Sequence, residues 1–276
     1  MNFFNSAGDG FRSGARVTFD FSNTVVFSES AAAVLTAHVK DRTLNHGLPS
    51  SIVWPSDPAC KRVLARFNIF KRIGNDTTSS VVESSKPIKV SDLKVANETA
   101  KQVVDFSSTV LYGKPRKIRS LYAILIEVMA NTNNHATSDC EEGRKHPWWL
   151  FTFIDDDRSK VILVFVDLGV GLFSSLPVKQ YIRRNPSLIR NDLRRDIALA
   201  NIWDGLTQGK IRSRTGDPSR GRGIPLISDS SESDDYSNFI IIANDAYLDL
   251  KEKTTSAMRE VFSGTLFQIE ISRAEV

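Results

Sequence analysis

Near the start of the chain Val17, Phe19 and Phe21 alternate with Thr18 and Asp20, the period-two pattern of a half-buried strand. An Ala-rich stretch from Ser28 to about Leu44 predicts a helix behind it. The pairing then recurs. Ser51-Ile-Val-Trp54 reads as a short strand, Pro55 and Asp57-Pro58 as a turn and helix start, and Val63, Leu64 and Phe67 as an apolar face running up to Phe70. Two strand-and-helix units predict a small α/β module over residues 14–74. Residues 75–92 are rich in Ser and Thr, carry Lys86-Pro87 and have little periodicity, which predicts a linker.

From 93 to 276 the pattern predicts a second domain. Leu93 to Tyr112 and Ser120 to Ala136 read as helices, and strands follow. The apolar runs Trp148 to Ile154 and Val161 to Val166, joined by Asp155-Asp-Asp-Arg-Ser-Lys160, predict a hairpin. Phe239 to Ala243 and Thr265 to Ile271 predict later strands, with Ser263-Gly264-Thr265 opening the last. Helices followed by mostly antiparallel strands predict an α+β sandwich.

Composition narrows the setting. A hydrophobic content of 41% suits a chain with a real core. No run approaches the roughly twenty apolar residues of a membrane span, and Met1 to Gly14 has no apolar stretch of the signal-peptide kind, so the expectation is a non-secreted protein without a membrane segment. Cys60 and Cys140 stand far apart, and no CxxC or HExxH occurs, which disfavours a disulfide framework or a zinc site and fits a reducing cytoplasm. The net charge of +4 is concentrated. Between Lys179 and Arg222 eleven Lys or Arg face four Asp, while the remaining chain has 25 basic against 28 acidic residues. Such a segment is either a solvated helical face or a surface for a polyanion: nucleotide phosphates, nucleic acid or an acidic partner.

Four local patterns carry candidate chemistry. Glu127 and Asn131 interrupt an otherwise apolar helix four residues apart and so share a face, with His135 a further four residues on. A buried carboxylate and amide need a partner, and a hydrated Mg²⁺ with a polyphosphate would serve as well as a Lys from elsewhere. The strand Val161 to Val166 runs into Asp167-Leu-Gly169-Val-Gly171, where an Asp could accept from an adenine amino group, or simply end a strand. Ser219-Arg220-Gly221-Arg222-Gly223-Ile-Pro225 places a basic glycine loop before a helix start, where free amides cradle phosphates. Thr265 offers a hydroxyl in the last strand. Each of these has a plain structural explanation when taken singly.

In order, Glu-x-x-x-Asn on a helix, Asp-x-Gly-x-Gly after a strand, Gly-x-Gly-Ile before a helix and Gly-Thr on a closing strand resemble the boxes of the GHKL (gyrase, chaperone, histidine kinase, mismatch-repair) ATPases. The resemblance covers residues 93–276 and implies a Bergerat-type α/β sandwich that binds ATP with Mg²⁺. It implies Glu127 as catalytic base or water-orienting group and Asn131 as metal ligand. It also implies that Asp167 reads the adenine, Gly169 and Gly171 shape the base pocket, Arg220, Gly221, Arg222 and Gly223 wrap the phosphates, and Thr265 lies near the base. Leu172 to Arg220 would be the lid. Glu-x-x-x-Asn-x-x-x-His-Ala is most similar to the anti-sigma serine kinases and related bacterial ATP-binding proteins.

Val17 to Leu35 is similar to the strand, turn and helix of STAS signalling domains, with Ser28 and Glu29 where that pattern has Asp and a phosphorylated Ser. The module would then dock a protein partner or a second copy, with phosphorylation falling on Ser28 or Ser30 if it occurs. The functional expectation is an ATPase or ATP-gated signalling switch. The alternative is a serine kinase of the anti-sigma type acting on a STAS-domain partner. A histidine kinase is disfavoured, because His38-Val-Lys-Asp-Arg-Thr-Leu44 lacks the acidic residue and the Pro of a phosphoacceptor box.

Overall fold

The structure is a computed structural model that describes residues 17–46, 50–67, 90–92, 95–135, 148–155, 157–173, 195–211 and 223–273. It divides into two compact units, Met1–Lys89 and Val90–Val276.

In the first unit β1 (Val17–Asp20) and β2 (Ser50–Val53) pair in parallel, Val17 opposite Ser50 through Asp20 opposite Val53. A parallel pair needs a crossover, and α1 (Glu29–His46) supplies it. Ser28 caps that helix, its Oγ accepting from Ala31 N at 3.2 Å. α2 (Pro58–Arg66) begins as the Asp57-Pro58 pair predicts, with Asp57 Oδ1 accepting from Cys60 N at 2.8 Å. Phe19, Phe21, Leu35, Val39 and Leu64 form the core of this unit, joined by Val17, Phe27 and Ile52 at its margin. Glu29 lies 3.7 Å from Arg66, so the first turn of α1 is tied to the last turn of α2.

The second unit contains a five-stranded antiparallel sheet in the order β3-β4-β5-β7-β6. Its strands are β3 (Val90–Asp92), β4 (Trp148–Ile154), β5 (Lys160–Asp167), β6 (Tyr236–Asp249) and β7 (Thr254–Ser272). Its helices are α3 (Asn97–Tyr112), α4 (Arg119–His135), α5 (Arg195–Thr207) and α6 (Gly223–Ser231). α3 packs on α4 and reaches β5, α4 packs on α6, and α5 lies against β7. Residues 148 to 153 of β4 are all buried, so both faces of that strand are covered, which is why it reads as a continuous apolar run. On β7 the alternation does emerge: Phe267, Ile269 and Ile271 are buried, while on the polar face Glu270 accepts from Gln268 and Asn238 and lies beside Lys160.

Several element boundaries differ from the sequence expectation. Val90–Asp92, inside the stretch read as linker, pairs with Trp148 to Leu150 at the edge of the sheet. The first helix of this unit starts at Asn97 and not at Leu93. Thr265 lies well inside β7, which begins at Thr254, so Gly264-Thr265 does not open the strand. α5 has no counterpart in the predicted elements, although Leu199, Ile202, Trp203 and Leu206 are buried at helical spacing.

Candidate functional site

The predicted site residues that are described fall into two groups. The first is built on α4 and α6. Leu121, Ile124, Leu125, Val128 and Met129 bury one broad stripe of α4 and leave Glu127 and Asn131 half-buried on the adjoining face. Gly223, the first residue of α6, meets them there. A Cβ at that position would lie 2.5 Å from Glu127 Oε2 and 3.5 Å from Asn131 Nδ2, so only glycine fits against the carboxylate without displacing it. Partial burial pushes the Glu127 carboxyl above its usual range. The Asn131 amide nitrogen is buried with no hydrogen-bond partner among the described residues. An amide can be turned over at little cost, which would present Oδ1 at the same place. Helix α6 also begins here, its first-turn amides free of intrahelical partners.

The second group is a rung across the sheet: Asp167 on β5 faces Thr265 on β7, and Thr265 faces Ala243 on β6. Asp167 is 7% exposed and Thr265 5%. Desolvation raises the Asp167 carboxyl to about 6, opposed by hydrogen bonds from the Gly169 amide, at 2.9 Å to Oδ1, and from Thr265. Gly264 has φ +128°, and a Cβ there would run into the Asp167 carbonyl oxygen. The Gly of the Gly-Thr pair is therefore fixed by close approach of two backbones, a role that its place in the sequence did not reveal.

The Asp167 loop carries a further residue the sequence reading passed over. Gly171 has φ +83°, and the space beside it is filled by the Asn244 carboxamide. Asn244 Oδ1 accepts from Phe173 N at 3.1 Å, and its Nδ2 donates to the Val170 carbonyl at 2.9 Å. The available signal was the polar pair Asn244-Asp245 breaking an apolar strand, where the β6–β7 register shifts.

Arg220, Gly221 and Arg222 lie outside the described residues, as does the side chain of His135. Of the stretch read as a lid, residues 172–173 and 195–211 are described. Within it Asp196 Oδ1 accepts from Ala257 N, joining α5 to β7. Among the described residues no three His, Cys, Asp or Glu gather as a metal site, and no helix is long and apolar enough to cross a membrane. Mg²⁺ bound chiefly through phosphates and water needs only one or two protein oxygens, and Asn131 beside Glu127 fits that limited demand.

No protein-family model matches this chain, and no curated protein matches it at a significant level.

Proposed function

We propose that residues 93–276 form a GHKL-type, Mg²⁺-dependent ATP-binding domain, an ATPase or ATP-gated switch, with a STAS-like docking module before it. The observation that carries this reading is the seating of Gly223 against Glu127 and Asn131. Two segments far apart in sequence, each expected to face a polyphosphate, supply a carboxylate, an unpartnered amide and a helix N-terminus at one place. The Asp167–Thr265 rung supports the adenine half of the reading, since a buried carboxylate backed by a hydroxyl suits an exocyclic amino donor.

In this reading Asn131 holds Mg²⁺, which neutralises phosphate charge when bound. Glu127 would orient a water and take its proton as the water oxygen attacks the terminal phosphorus and the bond from that phosphorus to the bridging oxygen breaks, releasing ADP and phosphate; its raised pKa makes it a better base than an exposed Glu. The amides at the start of α6 donate to phosphate oxygens. Asp167 accepts from the adenine amino group and discriminates against guanine, which presents a carbonyl there.

Calorimetry with Mg-ATP and Mg-GTP, together with γ-labelled ATP, tests the reading. Mg-ATP should bind more tightly than Mg-GTP, and Glu127→Ala should retain ATP while losing turnover. Absence of heat and of any thermal shift at millimolar Mg-ATP would sink it. Label appearing on a STAS-domain protein, in place of released phosphate, would identify the kinase alternative.

A further inference from the structure

The loop Leu168 to Phe173 leaves β5 at Asp167 and turns twice within a few residues. Its shape is set from across the sheet. Asn244 follows Ala243, the third member of the Asp167–Thr265–Ala243 rung, and sits where the β6–β7 pairing slips. Its backbone is left-handed, φ 55°, a conformation Asn tolerates better than other side-chain-bearing residues. That kink turns the carboxamide toward the loop, where one end accepts from Phe173 N and the other donates to Val170 O. Only one orientation of the amide satisfies both, because an N–H faces one end and a carbonyl the other. Gly171 lies between these two anchors, and three atoms of the Asn244 side chain come within 2.8 Å of where its Cβ would be. Residues 170, 171 and 173 are thus all fitted to one side chain.

Resting on the adenine site proposed above, we infer that Asn244 is a positioning residue for nucleotide binding: its carboxamide splints residues 170–173 so that the Asp167 loop keeps the shape the base requires. It does not touch the nucleotide. Its effect passes through the loop backbone, so its loss should weaken ATP affinity in a protein that is still folded. An Asp at 244 keeps the size and the acceptor for Phe173 N but sets an oxygen against the Val170 carbonyl. A Gly keeps the left-handed backbone and removes the splint altogether.

The test is calorimetry with Mg-ATP, beside thermal unfolding, on wild type, Asn244→Asp, Asn244→Gly, Gly171→Ala and the Gly171→Ala/Asn244→Gly pair. Asn244→Gly, which loses both loop hydrogen bonds, and Asn244→Asp, which keeps one and sets an oxygen against the Val170 carbonyl, should each remain cooperatively folded with Kd raised about tenfold. Gly171→Ala should cost less ATP affinity in the Asn244→Gly background than alone, because the clashing amide is gone. A Kd within twofold of wild type in either folded Asn244 variant overturns the inference, as does an equal cost of Gly171→Ala in both backgrounds. If wild type itself fails to bind Mg-ATP, it is the nucleotide reading that falls, and the positioning role falls with it.

Discussion

Burial holds the Asp167 carboxyl at about 6, above the ordinary Asp range, and this has a definite sign for stability. Below about pH 4 both folded and unfolded chains bind the proton. Between about 4 and 6 only the folded chain keeps it, so stability falls as pH rises, and above about 6 the ionised buried group carries its whole cost, about 3 kcal/mol. Asp167→Asn does not titrate. Its stability relative to wild type should therefore improve by up to about 3 kcal/mol between pH 4 and pH 7.5, measured by urea unfolding at both values. A difference independent of pH would show that Asp167 is not desolvated as described. On the proposed reading a carboxyl oxygen of Asp167 accepts the adenine amino hydrogen in either protonation state, more strongly when ionised. Gly223 makes a second prediction at this scale. Ala there forces the Glu127 carboxylate aside, and since this is the far end of a flexible, half-buried side chain the cost should be that of an off-rotamer shift, about 0.5–1.5 kcal/mol. Since the obstacle is the Glu127 side chain, Glu127→Ala should recover most of the loss, seen as a non-additive melting point in the double variant.

At the scale of elements, two left-handed glycines separate backbone strain from crowding. Gly113 ends α3 with φ +73°, its N–H donating to Thr109 O at 2.9 Å, and nothing lies within 4 Å of a Cβ there. Gly113→Ala should thus cost only the conformational term, about 1 kcal/mol. Gly264→Ala adds an overlap with the β5 backbone, which cannot rotate away as a side chain can, so its loss in chemical denaturation should be severalfold larger. Near-equal losses would mean that β5 and β7 can part at Asp167 without penalty. These elements were unequally legible in the sequence. β4 and the core of β5 were plain because long apolar runs survive any register. The first half of β7, Thr254 to Val261, was not, since it extends beyond the buried sheet and its residues are mostly exposed or half-buried. Helix α5 lies within the basic segment, where charge dominates the composition, although its four buried apolar residues have the right spacing. Glu127, Asn131 and Gly223 were legible because polar groups on an apolar helix and glycines before a helix stand out. Asn244 was not, because its partners are backbone groups more than seventy residues away.

For the whole molecule, the division falls between Lys89 and Val90, just ahead of the three residues that pair as the edge strand β3. This matters for dissection. A fragment starting at 93 would discard β3 and expose the edge of β4 that now pairs with it, leaving a bare apolar edge on a strand buried on both faces. A fragment of residues 90–276 keeps that edge covered and contains the α4–α6 group, the Asp167–Thr265–Ala243 rung and the Asn244 splint. It should unfold in one cooperative transition and bind Mg-ATP with the affinity of the full chain, whereas the fragment of residues 93–276 should be less stable and more prone to associate. Equilibrium unfolding and light scattering on the two fragments, with calorimetry on the longer one, measure this directly. If the longer fragment folds yet loses Mg-ATP, some group before Val90 contributes to the nucleotide site, and the site is larger than the two clusters drawn from α4, α6 and the sheet.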